Sequence, residues 1–269
     1  MIIRKLGGTK RKIVLVQGSP RTENTCSDQK SKTEKLCEHL LDKYSPFINF
    51  EYINLSVGPI TIQPCKGCVS TSGGMHCHWM CDCYGKGSKK HPDLMHEMDV
   101  YQKLEECDGF LVISPIHWYS VSTQVKAMFD RLVCANQTIT KEQAIEIFGD
   151  GNIKTADLTG QAELEGTYKK LLKNHLQDKL AAFLVHGDDG ANDYDGNQPF
   201  TGDSSWDVRN CVMPLVYQCR YSGINCPDDL VEAFYINKGL GYFESNLERN
   251  EELYERADKL IEKILIYLG

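Results

Sequence analysis

Three runs in this chain are apolar without interruption: Ile13 to Val16, Phe110 to Ile113, and Leu180 to Val185. A strand with one wet face alternates apolar and polar residues, whereas an unbroken run of this length suits a parallel strand covered on both faces. The pattern therefore predicts strands over 12–17, 109–114 and 180–185. A segment that does alternate, Ile48 to Leu55, predicts a fourth, and Ala233 to Ile236 a fifth. Between them the period changes to that of a helix. Leu36, Leu40 and Leu41 mark a helix over 33–44, and Leu94, Met98, Tyr101 and Leu104 one over 93–107. Ser122 is placed to cap a third that runs to Val133. Further helices are expected over 162–177, over 203–221 with a kink at Pro214, and over 246–268, where Leu253, Ala257, Leu260, Ile264 and Tyr267 share one side.

Strands that alternate with helices build a doubly wound α/β sheet, and ligands of such sheets sit beyond the C-terminal ends of the strands. Two stretches break the alternation, 56–92 and 134–179, and we read both as insertions in a single domain over 1–269. The first strand runs into Gly18-Ser19-Pro20-Arg21, a turn that aims backbone N–H groups and a helix N-terminus at an anion. Gly18 stands alone, so the turn matches neither the G-x-G-x-x-G of dinucleotide folds nor the G-x-x-x-x-G-K-[ST] of nucleotide triphosphatases. A monophosphate held by hydroxyls and one arginine is what remains. Asn24-Thr25 offers one register for those hydroxyls and Ser31-Lys32-Thr33 another. The second is preferred because Leu36 then begins the helix correctly.

Charge narrows the partners. The formal net charge is −7 over 269 residues, which leaves no basic field for nucleic acid or an anionic membrane. No stretch approaches a membrane span, and Met1 to Lys12 lack an apolar signal core, so a cytoplasmic protein is expected. Asp188 to Gly196 is acidic, but its spacing fails the calcium-loop pattern.

Twelve cysteines fit a reducing compartment or a metal site better than a disulfide scaffold. Five of them, Cys65, Cys68, Cys77, Cys81 and Cys83, fall close together with His76, His78, His91 and His96 nearby. Such a group suits zinc or an iron–sulfur cluster, and equally a loop packed by free thiols.

Taken together, Gly18-Ser19-Pro20-Arg21, Ser31-Lys32-Thr33-x-x-Leu36 and Pro64-Cys65-x-Gly67-Cys68 resemble the flavodoxin-like NAD(P)H-dependent FMN reductases. The most specific part is the block Ser114-Pro115-Ile116-His117-Trp118-Tyr119-Ser120-Val121-Ser122 with Lys126-Ala127-Met128-Phe129-Asp130-Arg131. The likeness implies a flavodoxin-like, doubly wound, five-stranded parallel sheet carrying a Cys-rich loop and a helical insertion. It implies FMN with its phosphate on Ser19, Arg21, Ser31, Lys32 and Thr33. The flavin ring would lie against Pro115, Ile116, His117, Trp118, Tyr119 and Ser120, with His186, Gly187 and Gly190 on the other side. The chemistry would be on the flavin, with NAD(P)H as hydride donor and a quinone, flavin or other small molecule as acceptor. A homodimer or homotetramer is implied as well. A related branch, the iron–sulfur flavoproteins, has a compact C-x2-C-x2-C run whose third position is Thr71 in this chain. A flavodoxin-like electron carrier and a metal-structured binding protein without flavin are the competing readings.

Overall fold

In the computed structural model, the residues described are 10–24, 29–56, 58, 60–68, 79–81, 83–85, 89–136, 174–187, 208–236 and 247–269. Strand β1 (Lys12–Gln17) pairs in parallel on one side with β2 (Asn49–Asn54) and on the other with β3 (Gly109–His117). Beyond β3 lie β5 (Leu180–Gly187) and β6 (Val231–Tyr235), also parallel, so the order is β2-β1-β3-β5-β6. The sheet has one strand more than the five expected. Two residues, β4 (Ser120–Val121), fold back antiparallel onto the end of β3.

The unbroken apolar runs are explained by the pleat. Successive side chains point to opposite faces, and here both faces are covered. Val14, Val16, Phe110, Val112, Phe183 and Val185 enter one core cluster, whereas Ile13, Leu15, Leu111, Ile113 and Leu184 enter the other. Helix α1 (Lys32–Tyr44) and α6 (Leu247–Leu268) close the second through Leu36, Leu40, Leu253, Leu260 and Ile264. The first is closed by α3 (Val100–Glu106), α4 (Thr123–Arg131) and α5 (Met213–Tyr221), with Tyr101, Phe129 and Val216 among the contacts.

Several boundaries move. The helix expected over 93–107 is two pieces, α2 (Leu94–Glu97) and α3, because Asp99 adopts a left-handed φ of 51° between them. Pro214 does not kink a long helix. It lies in the first turn of α5, where its missing N–H costs no helical bond, and a short 3-10 helix over Val208–Cys211 precedes it. The helix expected over 162–177 falls mostly outside the described residues, and its end at 175–177 is a turn. Among the described residues no helix is long and apolar enough to cross a membrane.

The inserted loop is fastened to α4 by a buried ion pair. Arg131 Nη2 donates to Asp93 Oδ2 at 3.0 Å, and both side chains are fully buried. Arg131 Nη1 also donates to the Gln63 carbonyl at 3.1 Å, while the Gln63 N–H donates to Asp93 Oδ1 at 3.1 Å. Every end of this cluster thus meets a different part of the chain. By contrast Lys126 and Asp130, one helical turn apart, pair on the surface and are worth only a few tenths of a kcal/mol, on the order of other exposed pairs.

Candidate active site

At the end of β1 the chain turns at Gly18, whose N–H donates to the Ile113 carbonyl of β3 at 2.7 Å. The Gly18 carbonyl accepts from Ser122 Oγ, and the same hydroxyl accepts from the Val125 N–H at 3.3 Å as the N-cap of α4. Ser122 N–H in turn donates to Ser114 Oγ at 3.1 Å. A single serine therefore ties the first turn to the end of β3 and the start of α4. Gln17, fully buried, braces the turn from the other side. Its amide accepts from Ser19 N–H and donates to the Ser19 carbonyl at 3.2 Å and to Asn54 Oδ1 at 3.0 Å.

Arg21 comes next. Its Nη2 donates to the Lys30 carbonyl at 3.1 Å, and its Nε is buried with no partner. Ser31 caps α1 by accepting from the Glu34 N–H at 3.0 Å, which places Lys32 and Thr33 in the first helical turn. This is the second of the two registers offered by the sequence. Thr33 Oγ1 lies 2.9 Å from Nε2 of the buried His186 at the end of β5, so α1 and β5 are joined across the strand ends.

Between these elements lies a cleft of about 210 Å³ lined by Ser19, Arg21, Ser31, Lys32, Thr33, Pro115, Ile116, His117, His186 and Gly187. Ten of the predicted residues thus face one space. Among the described residues its lining carries two fixed cations, hydroxyls and imidazoles, and no carboxylate. Partial burial holds the His117 imidazole below its ordinary pKa.

Trp118, Tyr119 and Ser120 are not among the lining residues. Trp118 and Tyr119 are the two central residues of the β3–β4 turn, with φ of 44° and 62°, and they stand 91% and 55% exposed. Two-residue hairpins favour positive φ at both positions, usually met by Asn and Gly, so two bulky aromatics there are held at a conformational cost. Gly190 lies outside the described residues, as does Cys77. Of the other thiols, Cys68 and Cys83 have sulfurs 3.4 Å apart, whereas Cys65 accepts from the Gly67 N–H at 3.4 Å and lines a separate groove. Among the described residues no group of three or more His, Cys, Asp or Glu side chains has metal-holding geometry.

Residues 11–150 match the model of a protein family described as NADPH-dependent FMN reductase. The chain belongs to that family. As an FMN reductase family member it is a flavin-dependent oxidoreductase, and the cleft at the strand ends occupies the place where the fold presents ligands. The fold is shared with the NAD(P)H:quinone oxidoreductase of Methanothermobacter marburgensis, at 11% identity over 93% of this chain and 96% of that one, with a TM-score of 0.52. An FMN-dependent NADH-azoreductase of Bacillus anthracis, solved with FMN, aligns at 13% identity over 94% and 99% of the two chains, with a TM-score of 0.48. No curated protein matches the sequence.

Sequence reasoning about this FMN reductase fold missed Gln17, Asn54 and Ser114 as supports of the site. A polar Gln closing an apolar strand was the available signal for the first. The contact of Thr33 with His186, 153 residues apart, left none.

Proposed function

We propose that the protein binds FMN in the cleft between the first turn, α1 and the ends of β3 and β5, accepts hydride from NAD(P)H, and reduces a quinone, flavin or other small acceptor. The observation that carries this reading is the buried Nε of Arg21, without a partner among the described residues, in a cleft that Lys32 also lines. A buried donor left unpaired is costly, and a phosphate oxygen satisfies it. Lys32 adds a second positive charge, the positive end of α1 faces the same way, and Ser19, Ser31 and Thr33 add hydroxyls. The residues present fit a phosphate monoester.

When bound, FMN supplies the two-electron chemistry, and the protein supplies position and electrostatics. Pro115, Ile116 and His117 would hold the flat ring system. His186, kept in register with Pro115 by β3–β5 pairing, and Gly187 line the cleft beside them. With its pKa lowered by burial, His117 is neutral at physiological pH and offers a hydrogen bond rather than a charge. The hairpin carrying Trp118 and Tyr119 follows His117 directly and exposes both aromatics, suited to stacking on a planar acceptor.

Arg21→Ala is expected to weaken FMN binding by about 1.5–3 kcal/mol, roughly ten- to a hundredfold, as read by quenching of flavin fluorescence. Unchanged affinity would remove the phosphate assignment. Anaerobic NADPH, and separately NADH, should bleach the flavin band of the loaded protein. Binding without bleaching by either would instead leave an electron carrier.

Tyr217 and Tyr221 are exposed one turn apart on α5, beside a groove of about 380 Å³ that Asp130 and Val133 also line. This apolar surface supports self-association as the homodimer or homotetramer implied by the resemblance. Sedimentation at micromolar concentration should give at least twice the chain mass of 30.5 kDa. A monomer there would dismiss it.

A further inference from the structure

Within the inserted loop, two separate stretches are zipped side by side. Tyr84 Oη donates to the Pro64 carbonyl at 2.9 Å, and Lys66 Nζ donates to the Cys83 carbonyl at 3.3 Å while lying 4.5 Å from the Tyr84 ring centroid. On another side of that ring sits the buried guanidinium of Arg131, at 4.9 Å. This lattice brings Cys68 Sγ to 3.4 Å from Cys83 Sγ. Both thiols are partly exposed, and neither belongs to the cleft.

We propose that Cys68 and Cys83 are a paired thiol site that closes to a disulfide by exchange with a small-molecule disulfide such as oxidised glutathione. Closure needs the sulfurs to approach by roughly 1.4 Å, to the ~2.05 Å of an S–S bond, and the surrounding contacts already set the two backbones together.

Either sulfur can donate in the 3.4 Å contact, so either thiol can open the exchange, and the route from Cys68 balances as does its mirror from Cys83. Cys68 thiolate attacks one sulfur of the small disulfide and expels one thiolate, leaving a mixed disulfide. Cys83 then loses its proton to solvent and attacks the Cys68 sulfur, expelling the second thiolate. The protein dithiol is oxidised by two electrons, and the small disulfide is reduced to two thiols.

Selectivity follows from access. Cys219 and Cys226 also neighbour one another, but both are buried, and burial raises the Cys219 thiol well above its ordinary value. A bulky disulfide reaches the loop pair and not this one.

The test treats the purified, folded protein with oxidised glutathione and follows intact mass and peptide maps. The expected product lacks the mass of two hydrogens and carries a Cys68–Cys83 crosslink. In Cys83→Ser the second step is blocked, and a glutathione adduct on Cys68 should accumulate roughly tenfold over the wild type. Cys81→Ser should close like the wild type. A crosslink to Cys65, Cys77 or Cys81, glutathione adducts without closure in the wild type, no reaction, or release of a metal ion from the thiols would each overturn the proposal. The wild-type peptide map decides even if a variant fails to fold.

Discussion

Gly18→Ala is expected to weaken FMN binding by roughly thirty- to a hundredfold and to destabilise the protein by about 2–4 kcal/mol. A methyl group at this position would stand 2.5 Å from Val125 Cγ2 and 2.7 Å from the Ile113 carbonyl oxygen. Neither neighbour is free to retreat. Val125 is buried in the first turn of α4, and the Ile113 carbonyl lies in the middle of the sheet. Relief requires the turn to lift, which breaks the 2.7 Å bond from Gly18 N–H to Ile113 and pulls on the serine that caps α4. Fluorescence titration with FMN and thermal unfolding read the two effects separately. Wild-type affinity in a folded Gly18→Ala protein would show that the turn does not hold the cofactor.

The second large effect is remote from the cleft. Asp93→Ala leaves the fully buried Arg131 guanidinium without its counter-charge and Gln63 N–H without its acceptor, while Arg131 Nε already lacks a partner. Breaking one side of a buried pair costs about 3–5 kcal/mol, so Tm should fall by on the order of 10 °C. Removing both charges, with Asp93→Leu and Arg131→Met, should recover part of the loss, because the penalty comes mainly from the stranded charge. A double variant less stable than Asp93→Ala would assign the pair a net stabilising role of its own. Either way Lys126→Ala, on the same helix as Arg131, should lie within about 0.5 kcal/mol of the wild type.

The sheet could be read from the sequence because both its faces are buried. Runs such as Ile13 to Val16 and Phe110 to Ile113 announce central parallel strands, and the spacing of Leu36, Leu40 and Leu41 announced α1. What could not be read depends on tertiary placement. Ser120 and Val121 are too short a strand to leave a pattern, and Trp118 and Tyr119 are strand formers by propensity that the hairpin forces into left-handed backbone. Pro214 illustrates a different gap: the same residue interrupts a helix or opens one, and periodicity alone did not decide which. In the site, Ser19, Arg21, Ser31, Lys32 and Thr33 were legible as neighbours, and all five line one cleft. That His186 would meet Thr33 was not, since only the β1-β3-β5 order brings those strand ends together.

The strand order also dictates a schedule for the nascent chain. The backbone bond that sets the first turn needs residue 113, and the contact between Thr33 and His186 needs residue 186. The N-terminal turn therefore waits for two later strands to be synthesised and docked before its cleft is complete. A ligand that binds only the finished cleft pulls the whole sheet, rather than its first turn, toward the native state.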